Sequence, residues 1–285
     1  MADDEILDLI HPEPKIRDYE SFSSLTTYLD CQMIYYFRYI QKIRVPPAVA
    51  MARGTAGHKA QEHNFRQKIE SHQDLPVDEV LDVAADEFDR ASSLVENWED
   101  ESPGKIKDGI IDLCKTYHLE HAPTIQPLEV EKEFILNIGA TKMKLYRDLK
   151  DTKNTIRDSK FTAKKKSEND VNMDLQGTIY TFVDQTPNFC IDAVIGKTKK
   201  SPNRIETTMS TRSIEDWNQL KNYYIPRIVA GIKASIKSGD FIPCNPTSWK
   251  HSEKFCGYWN ICQFGGKFRS KKIVDLKPKG FEELL

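Results

Sequence analysis

Between residues 127 and 161 the apolar residues change period, and that change constrains the fold more than any other feature. The runs LEVEKEFILNI (128–138), KMKLYRDL (142–149) and NTIRDSKF (154–161) each alternate apolar with polar residues, the two-residue repeat of a strand with one buried face. On either side the repeat is helical. SFSSLTTYL opens a helix at Ser21, with hydroxyls available to cap it, and the helix carries Cys31 and the aromatic stripe Tyr35, Tyr36, Phe37 and Tyr39 until Pro46-Pro47 breaks it. MARGTAGHKAQEHNFRQ (51–67) reads as a flexible entry at Gly54 and Gly57 followed by a helix with His58, Glu62 and His63. From about Glu70 to His121 the pattern stays helical, with an acidic outer face. Asp170–Val183 returns to helix, Asn188–Ile195 and Arg204–Met209 read as strands, and a long helix runs from Ser213 to about Lys237. Helices before and after a short mixed sheet predict an α/β core with a helical insertion at about 66–125.

The length of 285 residues suffices for a full hydrophobic core. We expect a loose leader over residues 1–15, one domain over 16–285, and an irregular cysteine-bearing tail over 241–266. No apolar run approaches the roughly 20 residues needed to span a bilayer. The acidic start MADDEILDLIHPEPK lacks the basic opening of a signal peptide, so the expected location is the cytoplasm.

A net charge of -2 hides segregation. From Asp74 to Glu101 eleven acids face one base, Arg90. Bases gather at Lys164–Lys166, at Lys197, Lys199, Lys200 and Arg204, and again from Lys267 to Lys279. A near-neutral total argues against a protein that coats nucleic acid, while local basic stripes fit contacts to a phosphate backbone at one face.

The hairpin over 143–160 carries the chemistry. Asp148 stands ten residues before Asp158-Ser159-Lys160, and pairing the two strands could gather two carboxylates and one ammonium. Such a group can hold a divalent cation and hydrolyse a phosphodiester. Taken alone, the same residues also describe a solvated strand edge. Gln176 and Tyr180 follow, four apart and so on one helical face, where an amide and a phenol could position a phosphate.

The order His58, Glu131, Asp148, Asp158-Ser159-Lys160 and Gln176-x3-Tyr180 resembles the RecB-like branch of the PD-(D/E)XK nuclease superfamily, the branch of CRISPR-associated, AddB-type and phage exonucleases. The resemblance runs from about Ser21 to Phe264 and includes SSLTTYLDCQMIYYFRY, GTAGHKAQEH and WKHSEKFCGYWNIC. It implies a restriction-endonuclease-like core and a set of roles. Asp148, Asp158, His58 and the carbonyl of Ser159 would hold Mg²⁺ or Mn²⁺, Lys160 would orient the attacking water, and Gln176 and Tyr180 would hold substrate or support Lys160. Glu131 is a weaker candidate for an outer carboxylate. Two positions depart from the family's habit: Leu145 stands where many relatives have glycine, and Phe161 where many have Thr or Ser.

In iron–sulfur members of the branch, one cysteine near the N-terminus joins three near the C-terminus around a 4Fe–4S cluster. Cys31, Cys256 and Cys262 match three of those positions, and His251 stands at the fourth. Three Cys with one His also make a good zinc set. Cys244 could swing in as the fourth ligand, although it lies twelve residues before Cys256 in a Pro-rich stretch, and loss of the metal in favour of packing by Trp249, Tyr258 and Trp259 is a third reading. Cys114 and Cys190, among apolar neighbours, are expected to be buried.

The resemblance thus implies a metal-dependent DNA exonuclease of recombination, repair or phage DNA processing. Its substrate would be single-stranded DNA or frayed ends, with a helicase or recombination protein as a possible partner and no membrane. The alternatives are a non-catalytic subunit that binds DNA ends, or a nuclease of CRISPR adaptation. Oligomeric state is not legible in the sequence.

Overall fold

The computed structural model describes residues 17–98 and 102–266, so the expected leader and the basic run after Gly266 lie outside the described residues. The chain divides into two compact units, residues 46–226 and residues 1–45 with 227–285.

The unit over 46–226 is built on one five-stranded sheet in the order β1-β2-β3-β4-β5. β1 (Pro127–Ile138) and β2 (Thr141–Asp151) form a hairpin, which Gly139 turns at φ +61°, a conformation that glycine adopts without strain. A second tight turn leads into β3 (Thr155–Thr162). There Asp151 Oδ1 accepts the backbone N–H groups of Lys153 and Thr155, each at 3.0 Å, and Asn154 takes φ +59°. β3 then pairs in parallel with β4 (Asn188–Ile195), which a hairpin could not achieve. The crossover carries two short helices, α6 (Glu168–Asn172) and α7 (Leu175–Asp184). β5 (Arg204–Thr211) closes the sheet antiparallel to β4. The sheet is therefore mixed, and the fold is the expected α/β core flanked by helices. β4 is buried along nearly its whole length, as a strand covered on both faces should be.

Three helices cover one side. α3 (Val49–Ser71) contributes Ala52, Ala56 and Ala60, α4 (Val77–Ser92) Val80, Ala84 and Phe88, and α5 (Pro103–Glu120) Ile106, Ile110, Leu113 and Cys114. The spacing of three or four residues puts each set on one stripe, and the stripes meet Val130, Leu149 and Val194 of the sheet. Each large apolar side chain buried this way contributes about 1.5–3 kcal/mol. Asp78 and Glu79 favour the start of α4, and Ser102 accepts the N–H of Lys105 to cap α5.

The helix boundaries correct three expectations. Gly54 and Gly57 do not loosen an entry; they lie inside the 23-residue α3. A Cβ on Gly57 would fall 2.1 Å from the ring of Phe161, so the glycine lets the helix approach β3. The stretch 170–183 is two helices, because the Asp174 side chain accepts the N–H of Gly177 and starts α7 afresh. The long helix after Ser213 is also divided: α8 (Ile214–Gln219) passes through a π-turn, Leu220–Tyr224, into α9 (Ile225–Ser238). Ile225 N–H reaches back to Leu220 O, and Pro226, without an N–H, follows directly.

In the other unit, α1 (Phe22–Asp30) and α2 (Gln32–Tyr35) are separated by Cys31, which is extended at φ -165° and ψ 110°. The expected single helix is thus interrupted at its cysteine. Tyr35 and Phe37 are buried, as a core stripe requires. Tyr28 donates to or accepts from Ser235 of α9 at 2.9 Å and lies against Gly231. The tail after Phe241 is a series of turns pinned by Tyr258, whose ring stacks on Phe37 at 5.4 Å and whose hydroxyl donates to Ile43 O at 3.1 Å. Among the described residues no helix is long and apolar enough to cross a membrane.

Candidate active site

β2 and β3 bring the hairpin acids together at the sheet. Leu149 pairs with Arg157 and Lys150 with Ile156, which leaves Asp148 and Asp158 close enough for each to shift the other's titration. Arg147, almost wholly buried, ion-pairs with Glu129 of β1 and Asp184 of α7 and so fixes β2 beside Asp148. From α3, His58 Nδ1 stands 3.2 Å from Asp148 Oδ2. The pair is within ion-pairing reach but not aligned as a hydrogen bond, so Asp148 Oδ2 is buried without a donor. Asp158 receives Lys160 Nζ on both oxygens, at 3.0 Å and 2.8 Å. Lys160 also reaches Gln176 Oε1 at 3.4 Å, Gln176 Nε2 donates to the Tyr180 hydroxyl at 3.2 Å, and that hydroxyl donates to the Tyr146 carbonyl. The amide and phenol on α7 therefore form a chain that ends on the lysine.

Glu131 joins the group from β1. It lines one cavity with His58, Gln61, Glu62, Asp148 and Ser159. Its backbone sits at φ +48° in the middle of a strand, a left-handed conformation that strains any residue but glycine. The neighbouring pairs are Val130 with Leu149 and Lys132 with Arg147, so the strained residue falls opposite Asp148. Sequence alone gave no signal for this distortion.

The charges explain the titration of the site. Burial pushes the Asp158 carboxyl up to about 7, with Asp148 adding to the rise and Lys160 opposing it. Burial also raises Glu131, helped by Asp148 and Glu62. Burial works against ionised Asp148, but His58 and then Lys160 overcome it and hold that carboxyl low. His58 and Lys160 are likewise opposed by burial, yet their carboxylate partners hold both above their usual ranges. Carboxylates crowded in a partly dry site repel one another, and a cation relieves the repulsion.

The donor set fits a divalent ion: carboxylate oxygens, an imidazole and a buried Asp148 oxygen that meets His58 without an aligned hydrogen bond. Among the described residues no three His, Cys, Asp or Glu side chains are already splayed as a metal cage. His58 leans on Asp148, and Lys160 on Asp158, each satisfying part of the other's charge.

Behind the site lies a network that sequence reasoning did not single out. Arg157 binds Asp151 at 2.8 Å and Asp192 at 2.9 Å, while Asp192 also meets His121 Nε2 at 3.1 Å and accepts from Thr207. Asp192 is fully buried on β4 beside Ser159 in the register of β3. Its partners come from segments far apart in the chain, so no local spacing reveals them. Phe161, where Thr or Ser was the more familiar residue, is the ring that occupies the space above Gly57, and its edge meets His58 at 6.1 Å. Leu145 is a buried core residue of β2.

The tail residues gather in the other unit. Cys31, Cys244, His251, Cys256 and Cys262 line one cavity, and all are free of disulfides. Cys31 Sγ accepts the backbone N–H of Cys244 at 3.3 Å, and Cys244 Sγ lies 3.5 Å from His251 Nδ1. Cys244, twelve residues before Cys256, thus lies in contact with Cys31. Cys114 and Cys190 are buried elsewhere, as expected.

Comparison with known proteins agrees with this architecture. No curated protein matches the chain. Among solved structures, a candidate exonuclease from Eubacterium rectale superposes with a TM-score of 0.50 at 12% identity, covering 81% of this chain and 86% of that one. A second, the protein SSO0001, gives a TM-score of 0.34 at 14% identity over 84% of this chain and 94% of that one, too low to carry an argument. The family model of the PD-(D/E)XK nuclease superfamily matches residues 20–263. The chain belongs to the PD-(D/E)XK nuclease superfamily.

Proposed function

We propose that this nuclease is a metal-dependent DNA exonuclease of the RecB-like branch, with Asp148, Asp158, Lys160 and His58 at its centre. One observation carries the reading: a buried Asp148 oxygen, ion-paired to His58 without an aligned hydrogen bond, stands in a cluster of mutually repelling carboxylates whose ammonium, Lys160, is held on Asp158. The order of His58, Asp148, Asp158-Ser159-Lys160 and Gln176-x3-Tyr180 supports the branch, and so do the cysteines of the tail.

Mg²⁺ or Mn²⁺ would be held by Asp148, Asp158, His58 and the Ser159 carbonyl. Bound there, the ion would act as a Lewis acid on the phosphate and lower the pKa of water. The chain's own residues supply the rest. Asp158, raised by burial, must release its proton to bind the ion, so metal binding is expected to weaken as pH falls. Lys160 Nζ is held within reach of Asp158 and Gln176, where it orients a water and offsets charge that develops on the phosphate. Gln176 and Tyr180 fix the ammonium in place. Glu131 adds negative charge on the β1 side and helps attract the cation.

The resemblance to the RecB-like branch points to single-stranded DNA or a frayed end as substrate. Lys164, Lys166, Lys199 and Lys200 are exposed toward a phosphate backbone, while Lys165 Nζ lies 4.0 Å from Glu206. Lys197 and Arg204 are already engaged, with Asp112 and Glu206 at 2.7 Å each. Cys31, Cys256 and Cys262, with His251 at the fourth position, are proposed to bind a 4Fe–4S cluster, with zinc or a metal-free, packed tail as the alternatives. Roles in recombination, repair or phage DNA processing follow from the same branch.

The test is digestion of 5′- and 3′-labelled single-stranded and duplex DNA with Mg²⁺, Mn²⁺ or EDTA. Stepwise release of label from one end, dependent on the metal, is expected. Intact DNA under every condition, or cleavage only of closed circles, contradicts the reading.

A further inference from the structure

We infer that Cys244 supplies the fourth thiolate of the tail centre, beside Cys31, Cys256 and Cys262, and that His251 stands outside the ligand set as a hydrogen-bond partner of the Cys244 sulfur. The inference rests on the reading above that the tail holds a metal centre, and it names the ligand that the sequence left open.

Four of the six cysteines come from three separate stretches of chain and line one cavity, whereas Cys114 and Cys190 are buried in the other unit. Cys31 is presented by a break between α1 and α2, where its extended backbone frees it from either helix. Its sulfur already accepts the Cys244 N–H at 3.3 Å. A backbone N–H donated to sulfur favours the thiolate, the form that binds metal. The same contact holds the Cys244 backbone against the Cys31 sulfur, and since among the described residues no three of these side chains already form a metal cage, the thiols must turn inward to bind.

The tail around them consists of single turns, such as His251 N–H to Ser248 O and Cys262 N–H to Tyr258 O, packed by aromatic contacts such as Tyr258 on Phe37 and Phe241 on Tyr36. A small region of this kind is commonly stapled by a metal.

His251 faces the cluster through Nδ1, at 3.5 Å from the Cys244 sulfur. The two nitrogens of an imidazole diverge. With Nδ1 turned to Cys244, Nε2 points away from that sulfur, toward no hydrogen-bond partner. The geometry therefore gives His251 the place of a donor to a thiolate, the position from which an outer group tunes a metal site. The unpartnered Nε2 is the competing observation, and the variants below separate the two.

The experiment compares anaerobically purified full-length wild type, Cys244→Ser and His251→Ala for iron, zinc and acid-labile sulfide per chain. Visible absorption is recorded before and after dithionite, and circular dichroism reports folding. Wild type is expected to carry a centre, Cys244→Ser to lose it, and His251→Ala to keep full metal content with a shifted absorption band. Retention in Cys244→Ser with loss in His251→Ala makes His251 the ligand; it overturns the inference and leaves the metal-centre reading intact. Wild type free of both iron and zinc overturns both. X-ray absorption at the metal edge of the wild type needs no variant to fold: an all-sulfur protein shell supports Cys244, and a shell with one nitrogen contradicts it.

Discussion

Replacing Asp158 with asparagine removes the ionisation that the fold opposes most strongly. In the folded chain this carboxyl titrates at about 7, against an ordinary value of 3.8. The folded state keeps the proton over that range while the unfolded chain has released it, so the metal-free protein loses stability as pH rises through the window. At about 1.4 kcal/mol per pH unit, the raised Asp158 carboxyl costs the folded state about 2 kcal/mol at about pH 5.5 and about 4 kcal/mol at about pH 8. Asparagine resembles the protonated acid in shape and carries no charge. The stability advantage of Asp158→Asn over wild type should therefore grow by about 2 kcal/mol between those two pH values. Urea denaturation in EDTA at both pH values measures it, with each variant compared only with itself across pH. Added Mg²⁺ or Mn²⁺ should raise the wild type by about 2–3 kcal/mol near a hundredfold excess over Kd and leave Asp158→Asn unmoved. A gap that stays constant or shrinks toward pH 8, or equal stabilisation of both proteins by metal, refutes the assignment of Asp158 as a buried, cation-awaiting carboxylate.

Lys160→Ala should lower the rate of cleavage by about 10²–10³-fold at saturating DNA. The residual activity should have its acid limb moved to higher pH, because Asp158 loses the cation that opposes its rise; an unshifted limb places the lysine elsewhere. Asp192→Ala should destabilise the fold by about 3–5 kcal/mol, since it strands Arg157 and His121 without their shared carboxylate; a loss under about 1 kcal/mol by denaturant titration argues that the network is not structural. Glu131→Gly should relieve the left-handed backbone and raise stability by about 1 kcal/mol while lowering activity; a destabilised or fully active variant contradicts its place in the site.

The period-two runs made the hairpin of β2 and β3 legible, because alternation reports which face is buried regardless of what covers it. The acids on that hairpin were legible for the same reason, through their spacing. Gly57 was misread as flexibility because its role is a contact with Phe161, a hundred residues away, and a glycine in a helix advertises only its freedom. Glu131 could be named but its strained backbone could not, since nothing local demands it. The Arg157–Asp192–His121 network joins three segments and has no linear signature. Cys244 was the hardest case. Its distance from Cys256 along the chain suggested a bystander, while the break at Cys31 and the turns of the tail carry the two together.

The most direct measurement of the central claim is single-turnover cleavage of end-labelled DNA by wild type, Asp148→Asn, Asp158→Asn and Lys160→Ala, each with Mg²⁺ or Mn²⁺ and with EDTA. The account predicts metal-dependent release of terminal nucleotides by the wild type and a loss of at least about 10²-fold in all three folded variants. Cleavage by the wild type in EDTA, or cleavage by the variants at the wild-type rate, would contradict it.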